Sequence, residues 1–197
     1  MQIQPIFETA ECDMVNYYYF QIGLNQQEID KVFSLVEKLP YHEALVAGEG
    51  KFNKEIRSSN VKWIPKNDGF GWLYFKLMEL ASEANKNSWN FDLYSVIDNI
   101  QYTEYHATND GHYGWHQDIG PGALSTRKVS ITVQLSGPDE YEGGDLEYWK
   151  GGQDIQKAPR GKGVVFIFPS YMMHRVTPVT KGVRRSFVLW VGGGHYK

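Results

Sequence analysis

From residue 112 onward the chain is broken into short strand-like runs that follow one another closely. HYGWHQD, KVSITVQLS, GDLEYWK, GVVFIFP, HRVTPV and RRSFVLWV succeed each other with Gly-Pro, Gly-Gly and Pro-Ser breaks between them. Runs rich in β-branched and aromatic residues, bounded by such breaks, read as strands. Upstream, YYYFQIG, EIRSSNVKWIP and FDLYSVIDNIQYTEYH read the same way. Many strands gathered at one end of a chain point to a sandwich or jelly roll.

Two segments break the pattern. NQQEIDKVFSLVEKLP places Ile29, Val32, Phe33, Val36 and Leu39 at helical spacing, with Asn25 or Gln26 ahead of Glu28 and Pro40 as a stop. GFGWLYFKLMELASEAN is densely apolar through Trp72, Phe75, Leu80 and Ala84, and reads as a buried helix. The expected class is α+β and β-rich. At 197 residues the chain is expected to form one domain, 1–197, with N-terminal helical support over about 1–90 and a motif-bearing core over about 91–195.

Composition narrows the partners. A net charge of −3 and no Lys/Arg run argue against nucleic acid or membrane attachment. The lone Cys12 excludes an internal disulfide and fits a reducing compartment. MQIQPIFETAECDM has no basic stretch followed by an apolar one, so no signal peptide is expected. No apolar run approaches the ~18 residues that span a bilayer. A soluble, cytoplasmic protein is the expectation. Aromatics at 15% suit both a β core and a concave site.

HYGWHQDIG holds the densest chemistry. On a strand His116 and Asp118 project to one face, about 6.6 Å apart at ~3.3 Å per residue, so their donor atoms can converge on an ion. His112 shares that parity but lies about 13 Å away along a regular strand, a poor third ligand. Position 119 is Ile, which leaves Asp118 as the acid of this stretch. His174, in FIFPSYMMHRVTPV, begins a strand that a jelly roll can bring beside residues 116–118. Two imidazoles and one carboxylate on one side of a metal suit a non-haem Fe(II) oxygenase. A surface or core histidine is the competing reading. Ten residues on, one of Arg184 and Arg185 faces inward by strand alternation. If it is Arg184, Ser186, Val188 and Trp190 share its face. A guanidinium there would hold a carboxylate through two parallel hydrogen bonds, and a solvated edge strand is the alternative.

His116-x-Asp118, His174 and Arg184, in this order and spacing, resemble the Fe(II)- and 2-oxoglutarate-dependent dioxygenases, in particular their prolyl 4-hydroxylase and PKHD-type branch. YHATNDGHYGWHQD, EYEGGDLEYW and GVVFIFPSYMMHRVTPVTKGVRRSFVLWV carry the resemblance, over roughly residues 98 to 193. It implies a double-stranded β-helix and Fe(II) bound by His116, Asp118 and His174. It implies that 2-oxoglutarate chelates the metal and that Arg184 grips its far carboxylate. Tyr105, matching the Tyr of the family's Tyr-x-x-Gly stretch, would add a hydroxyl there, although YHATNDG lacks the glycine at that spacing. Gln134 stands where some relatives place another hydroxyl donor. Tyr113, Arg127 and Trp190 match positions lining the site or the substrate mouth. Gly143-Gly144 reads as a tight turn entering a strand.

The implied reaction consumes O2 and 2-oxoglutarate, releases succinate and CO2, and hydroxylates an unactivated carbon; the branch also implies L-ascorbic acid binding. Three functions follow: hydroxylation of a prolyl residue in a protein or peptide, the same chemistry on a free amino acid or other small molecule, or a non-catalytic metal-binding jelly roll. Asp118 speaks against a halogenase, in which a small residue replaces that ligand. Trp190 stands where related nucleic-acid demethylases carry a second arginine.

Overall fold

The computed structural model describes residues 16–44, 53–67 and 69–194, so Cys12 and the N-terminal stretch lie outside the described residues. The elements run β1 (Tyr18–Phe20), α1 (Gln26–Val36), β2 (His42–Glu43), β3 (Arg57–Ser58), β4 (Asn60–Ile64), α2 (Gly71–Ser88), β5 (Leu93–Val96) and β6 (Ile100–His106). After these come β7 (His112–His116), β8 (Arg127–Gln134), β9 (Tyr141–Gly143), β10 (Leu146–Gly151), β11 (Asp154–Lys157), β12 (Val165–Pro169), β13 (His174–Val176) and β14 (Val179–Gly193).

The strands form two antiparallel sheets. The larger is ordered β1-β12-β8-β14-β6-β4-β2, with β5 and β9 also pairing with β14. The smaller is ordered β11-β10-β13-β7-β3. This is the expected jelly roll. The N-terminal part supplies strands to both sheets as well as the two helices, so it builds the sandwich and does not merely support it.

Period-two alternation sorts the side chains of the large sheet into two environments. Val129, Ile131 and Val133 of β8 face a buried cluster that includes Leu73, Leu77 and Ala81 of α2 and Ile29 and Val32 of α1. The alternate residues, Ser130, Thr132 and Gln134, are buried on the opposite face, toward the small sheet. A second cluster, including Tyr105, Tyr148, Phe166 and Phe168, fills the space between the sheets. The functional residues therefore project from strands whose other face is anchored in an apolar core.

The first helix begins with a capping box: the Asn25 side chain accepts from the Glu28 amide at 3.0 Å, and Glu28 accepts from the Asn25 amide at 2.8 Å. It ends at Val36, ahead of Pro40, and leaves Leu39 beyond the last turn. The second helix corrects the expectation of all-round burial. Leu73, Tyr74, Leu77, Ala81 and Ala84 form its buried face, while Phe75 is 77% exposed. Tyr74 fixes this helix to the sheet, donating to the Ile64 carbonyl at 2.6 Å and accepting from the Ile100 amide at 2.8 Å. No helix among the described residues is long and apolar enough to cross a membrane.

Phe187 sits at the centre of β14, fully buried and registered against Tyr102 and Val133. Phe187→Ala is expected to cost about 3–5 kcal/mol, read as a lower denaturation midpoint with an unchanged m-value.

Candidate functional site

His116 ends β7 and His174 begins β13, and the two residues are direct partners in the register. Asp118 follows two residues after His116, its amide donating to the Ser170 carbonyl at 2.9 Å. Each of the three offers a ligand atom, and these atoms lie within 4.8 Å of one another. The imidazole Nε2 atoms stand 3.9 Å (His116) and 3.7 Å (His174) from the Asp118 carboxylate oxygens. Their Nδ1 atoms face backbone carbonyls, Gly114 at 2.8 Å and Met172 at 2.9 Å. A carbonyl only accepts, so Nδ1 carries the proton and each Nε2 lone pair is directed at the shared centre.

The electrostatics suit a cation. Burial and the neighbouring His174 ring push the His116 imidazole down to about 3, so it is neutral at neutral pH. For Asp118, burial alone would raise the carboxyl. The two imidazoles, the Ser130 hydroxyl and the nearby Trp190 indole outweigh burial and hold it below the ordinary carboxylate range. Ser130 donates to Asp118 Oδ2 at 2.6 Å, so the Ser170 hydroxyl, 3.0 Å away, must in turn donate to Ser130. Two imidazole nitrogens and one oriented carboxylate fit Fe(II) as a facial donor set.

Besides its distance along the strand, His112 is turned away from this centre. Between His174 and Val176 the small sheet advances two residues, while β7 advances three, from His116 to Tyr113. This bulge flips the alternation. Tyr113 and His116 both turn inward and stack, with ring centroids 3.6 Å apart, while His112 bonds to the carbonyls of Asp110 and Glu55 outside.

Along the sandwich, Arg184 points inward and is 2% exposed, whereas Arg185 points outward toward Glu104 at 3.4 Å. Tyr105 is the register partner of Arg184, and its ring centroid lies 5.4 Å from the guanidinium carbon. Arg184 donates to the Ser186 hydroxyl at 3.1 Å, and no carboxylate among the described residues pairs with it. A buried cation without an anion costs several kcal/mol, so this slot fits a ligand carboxylate. Gln134 lines the same small cavity.

Arg127, Trp190 and Tyr113 form walls of the centre. The Arg127 guanidinium lies 3.8 Å from the Trp190 ring centroid, pairs with Asp98 and donates to the Asp118 carbonyl at 3.2 Å. Tyr113 lies between His116 and the guanidinium of Arg57, 4.6 Å from its ring. Arg57, Ser130 and Tyr141 were not among the sequence candidates. The polar parity of Ser130, Thr132 and Gln134 within an apolar strand was a legible signal for the second. A cavity of about 510 Å³, lined in part by Tyr41, His42, Glu104 and His106, holds none of these ligands.

A jelly roll with a His-Asp-His centre and a buried arginine defines a class, and the comparisons agree. Residues 100–192 match the family model of the 2OG-Fe(II) oxygenase superfamily. Within that superfamily its likeness is to the PKHD-type and prolyl-hydroxylase branch. A PKHD-type hydroxylase of Synechococcus sp. (strain CC9605) is 40% identical over 79 residues, which are 40% of this chain and 36% of that relative. The chain thus spans little more than a third of that relative's length. A second, of Synechococcus sp. (strain JA-2-3B'a(2-13)), is 28% identical over 177 residues, 85% of this chain and 74% of the relative. The fold is similar to that of a prolyl hydroxylase from Trichoplax adhaerens, solved with a peptide fragment of the hypoxia inducible factor oxygen degradation domain. That likeness has a TM-score of 0.75 at 17% identity, over 90% of this chain and 84% of the other.

Ser130 supports the carboxylate ligand without touching the centre itself. Ser130→Ala is expected to weaken binding of a divalent ion such as Co(II) roughly tenfold, measured by titration of the d–d absorption of the metal.

Proposed function

We propose that this protein is an Fe(II)- and 2-oxoglutarate-dependent dioxygenase that hydroxylates a prolyl residue in a protein or peptide, releasing succinate and CO2. The observation that carries the reading is the pairing of two complementary sites in one sandwich. At one end a buried carboxylate and two imidazoles, their Nε2 atoms directed at one centre, suit a cation. At the other a buried guanidinium awaits an anion. An α-keto dicarboxylate joins the two, chelating with one end and pairing with the other.

The chemistry supplied by bound Fe(II), 2-oxoglutarate and O2 is oxidative decarboxylation coupled to hydroxylation. The chain supplies the rest. His116, Asp118 and His174 would hold the metal from one side and leave the opposite positions to cosubstrate, oxygen and substrate. The backbone carbonyls of Gly114 and Met172 keep both imidazoles in the ligating tautomer. Arg184 would clamp the far carboxylate, with Tyr105 beneath the guanidinium. Arg127 and Trp190 would form the substrate wall beside Asp118, their cation–π contact holding the indole upright. Phe166 and Phe168, both buried, keep water out of the inner end.

Support for a peptide substrate comes from the likeness in fold to a prolyl hydroxylase solved with a peptide fragment. The similarity to PKHD-type hydroxylases supports the same class of reaction.

Under anaerobic conditions, Fe(II) and 2-oxoglutarate together are expected to give a weak visible charge-transfer band that His174→Ala abolishes; its absence from the wild-type protein would refute the iron site. Incubation with cell lysate followed by peptide mass spectrometry is expected to place an added oxygen on specific prolines. Oxygen found only on a free metabolite would refute the prolyl substrate and leave the oxygenase reading intact.

A further inference from the structure

The cavity at the Arg184 end contains a buried hydroxyl that the sequence pattern did not single out. Gln134 Nε2 donates to the Ser136 carbonyl at 3.2 Å and to Tyr141 Oη at 2.9 Å. A carbonyl only accepts, so Ser136 dictates which end of the Gln134 amide faces it, and that end is the NH2. Both amide hydrogens are then committed, and the Tyr141 oxygen serves as an acceptor toward Gln134. The tyrosine's own proton must point elsewhere, and no hydrogen bond among the described residues takes it. Tyr141 is 3% exposed and lines the same cavity as Thr132, Gln134, Phe166 and Arg184.

Strand register places this hydroxyl at the correct end. Ser130, which holds the Asp118 carboxylate, shares a face of β8 with Thr132 and Gln134, each step of two residues advancing about 6.6 Å. Gln134 is opposite Ser186, the hydroxyl that accepts from Arg184. The Arg184 guanidinium and the Tyr141 phenol thus line one cavity, two strand steps along β8 from Ser130.

The position of Tyr141 is built, not incidental. Its register partner is Gly182, which has φ +72° and whose Cβ would stand 2.2 Å from the Glu140 carbonyl oxygen. At Gly144 (φ +59°) a Cβ would lie 3.2 Å from the Tyr141 ring and 3.2 Å from Arg184 Cδ, so the absent side chain makes room for both. Arg160 covers the ring, 4.3 Å from its centroid, and donates to the Tyr141 carbonyl at 3.1 Å. Its charge is met by Asp145 at 2.9 Å, so Arg160 holds the ring and leaves the anion to Arg184.

We infer that Tyr141, oriented by Gln134, donates its hydroxyl to the far carboxylate of the cosubstrate beside Arg184 and so selects a dicarboxylate. This rests on the reading of the site as a 2-oxoglutarate oxygenase. It moves the hydroxyl donor from strand position 134, where some relatives carry it, to the β9 hairpin, and gives Gln134 the role of orienting group.

The test compares two ligands on Co(II)-loaded protein by calorimetry: 2-oxoglutarate, and 2-oxopentanoate, which has a methyl group in place of the far carboxylate. Tyr141→Phe is expected to weaken 2-oxoglutarate about tenfold or more, as for a lost hydrogen bond to a charged group, and to leave 2-oxopentanoate and Co(II) affinity unchanged. Gln134→Leu, which frees the hydroxyl to rotate, is expected to shift the same preference in the same direction by a smaller factor. Equal weakening of both ligands, or unchanged binding of 2-oxoglutarate, would overturn the role of Tyr141. Retained Co(II) affinity shows that each variant is folded. If the wild-type protein binds 2-oxoglutarate no better than 2-oxopentanoate, the cosubstrate reading itself falls.

Discussion

The register of β14 is the constraint on which the site depends. This fifteen-residue strand pairs with β9 ahead of Arg184, with β6 through it, and with β8 and β5 beyond it. A slip of one residue would turn Arg184 outward and bring Arg185 into the sandwich. It would also separate Arg184 from Tyr105 and Ser186 from Gln134. The apolar residues on the other face, Phe187, Leu189 and Val191, prevent that slip because it would expose all of them. The core on one side of the sheet thus holds the chemistry on the other side in place.

Between the sheets the structure separates its charges. Asp118 is buried among two imidazoles and a serine relay, and Arg184 is buried against a phenol ring and a serine, with no carboxylate among the described residues paired with it. Two opposite charges in one interior would ordinarily pair. Their placement on different strand steps keeps them apart, a separation that suits a ligand bearing both a chelating end and an anionic end.

Much of the architecture was legible in the sequence. The strand runs and both helices follow from period-two and period-3.6 patterns and from turn residues that the sandwich retains, while the choice between Arg184 and Arg185 was made by the register of β14. Two readings needed correction for physical reasons. Dense apolarity over residues 69–85 suggested burial on all sides, yet only one face of a helix can meet a single sheet, and Phe75 stays in solvent. The parity assigned to His112 assumed a regular strand, and the bulge in β7 reverses it.

Taken by itself, the sequence pointed to a β-rich jelly roll, because strand runs and the breaks between them are local properties that tertiary packing preserves, and only the resemblance to a family joined His116, Asp118 and His174 into one candidate set. Alternation allowed only one of Arg184 and Arg185 to face the interior and left open which. Only the tertiary structure decided what surrounds these groups. Ser130 meets Asp118 across twelve residues, Arg57 reaches Tyr113 from a distant strand, and Tyr141 arrives beside Arg184 from a hairpin with no periodic signal of its own. Such contacts depend on strand order, bulges and left-handed glycines, which join residues that no pattern along the chain relates.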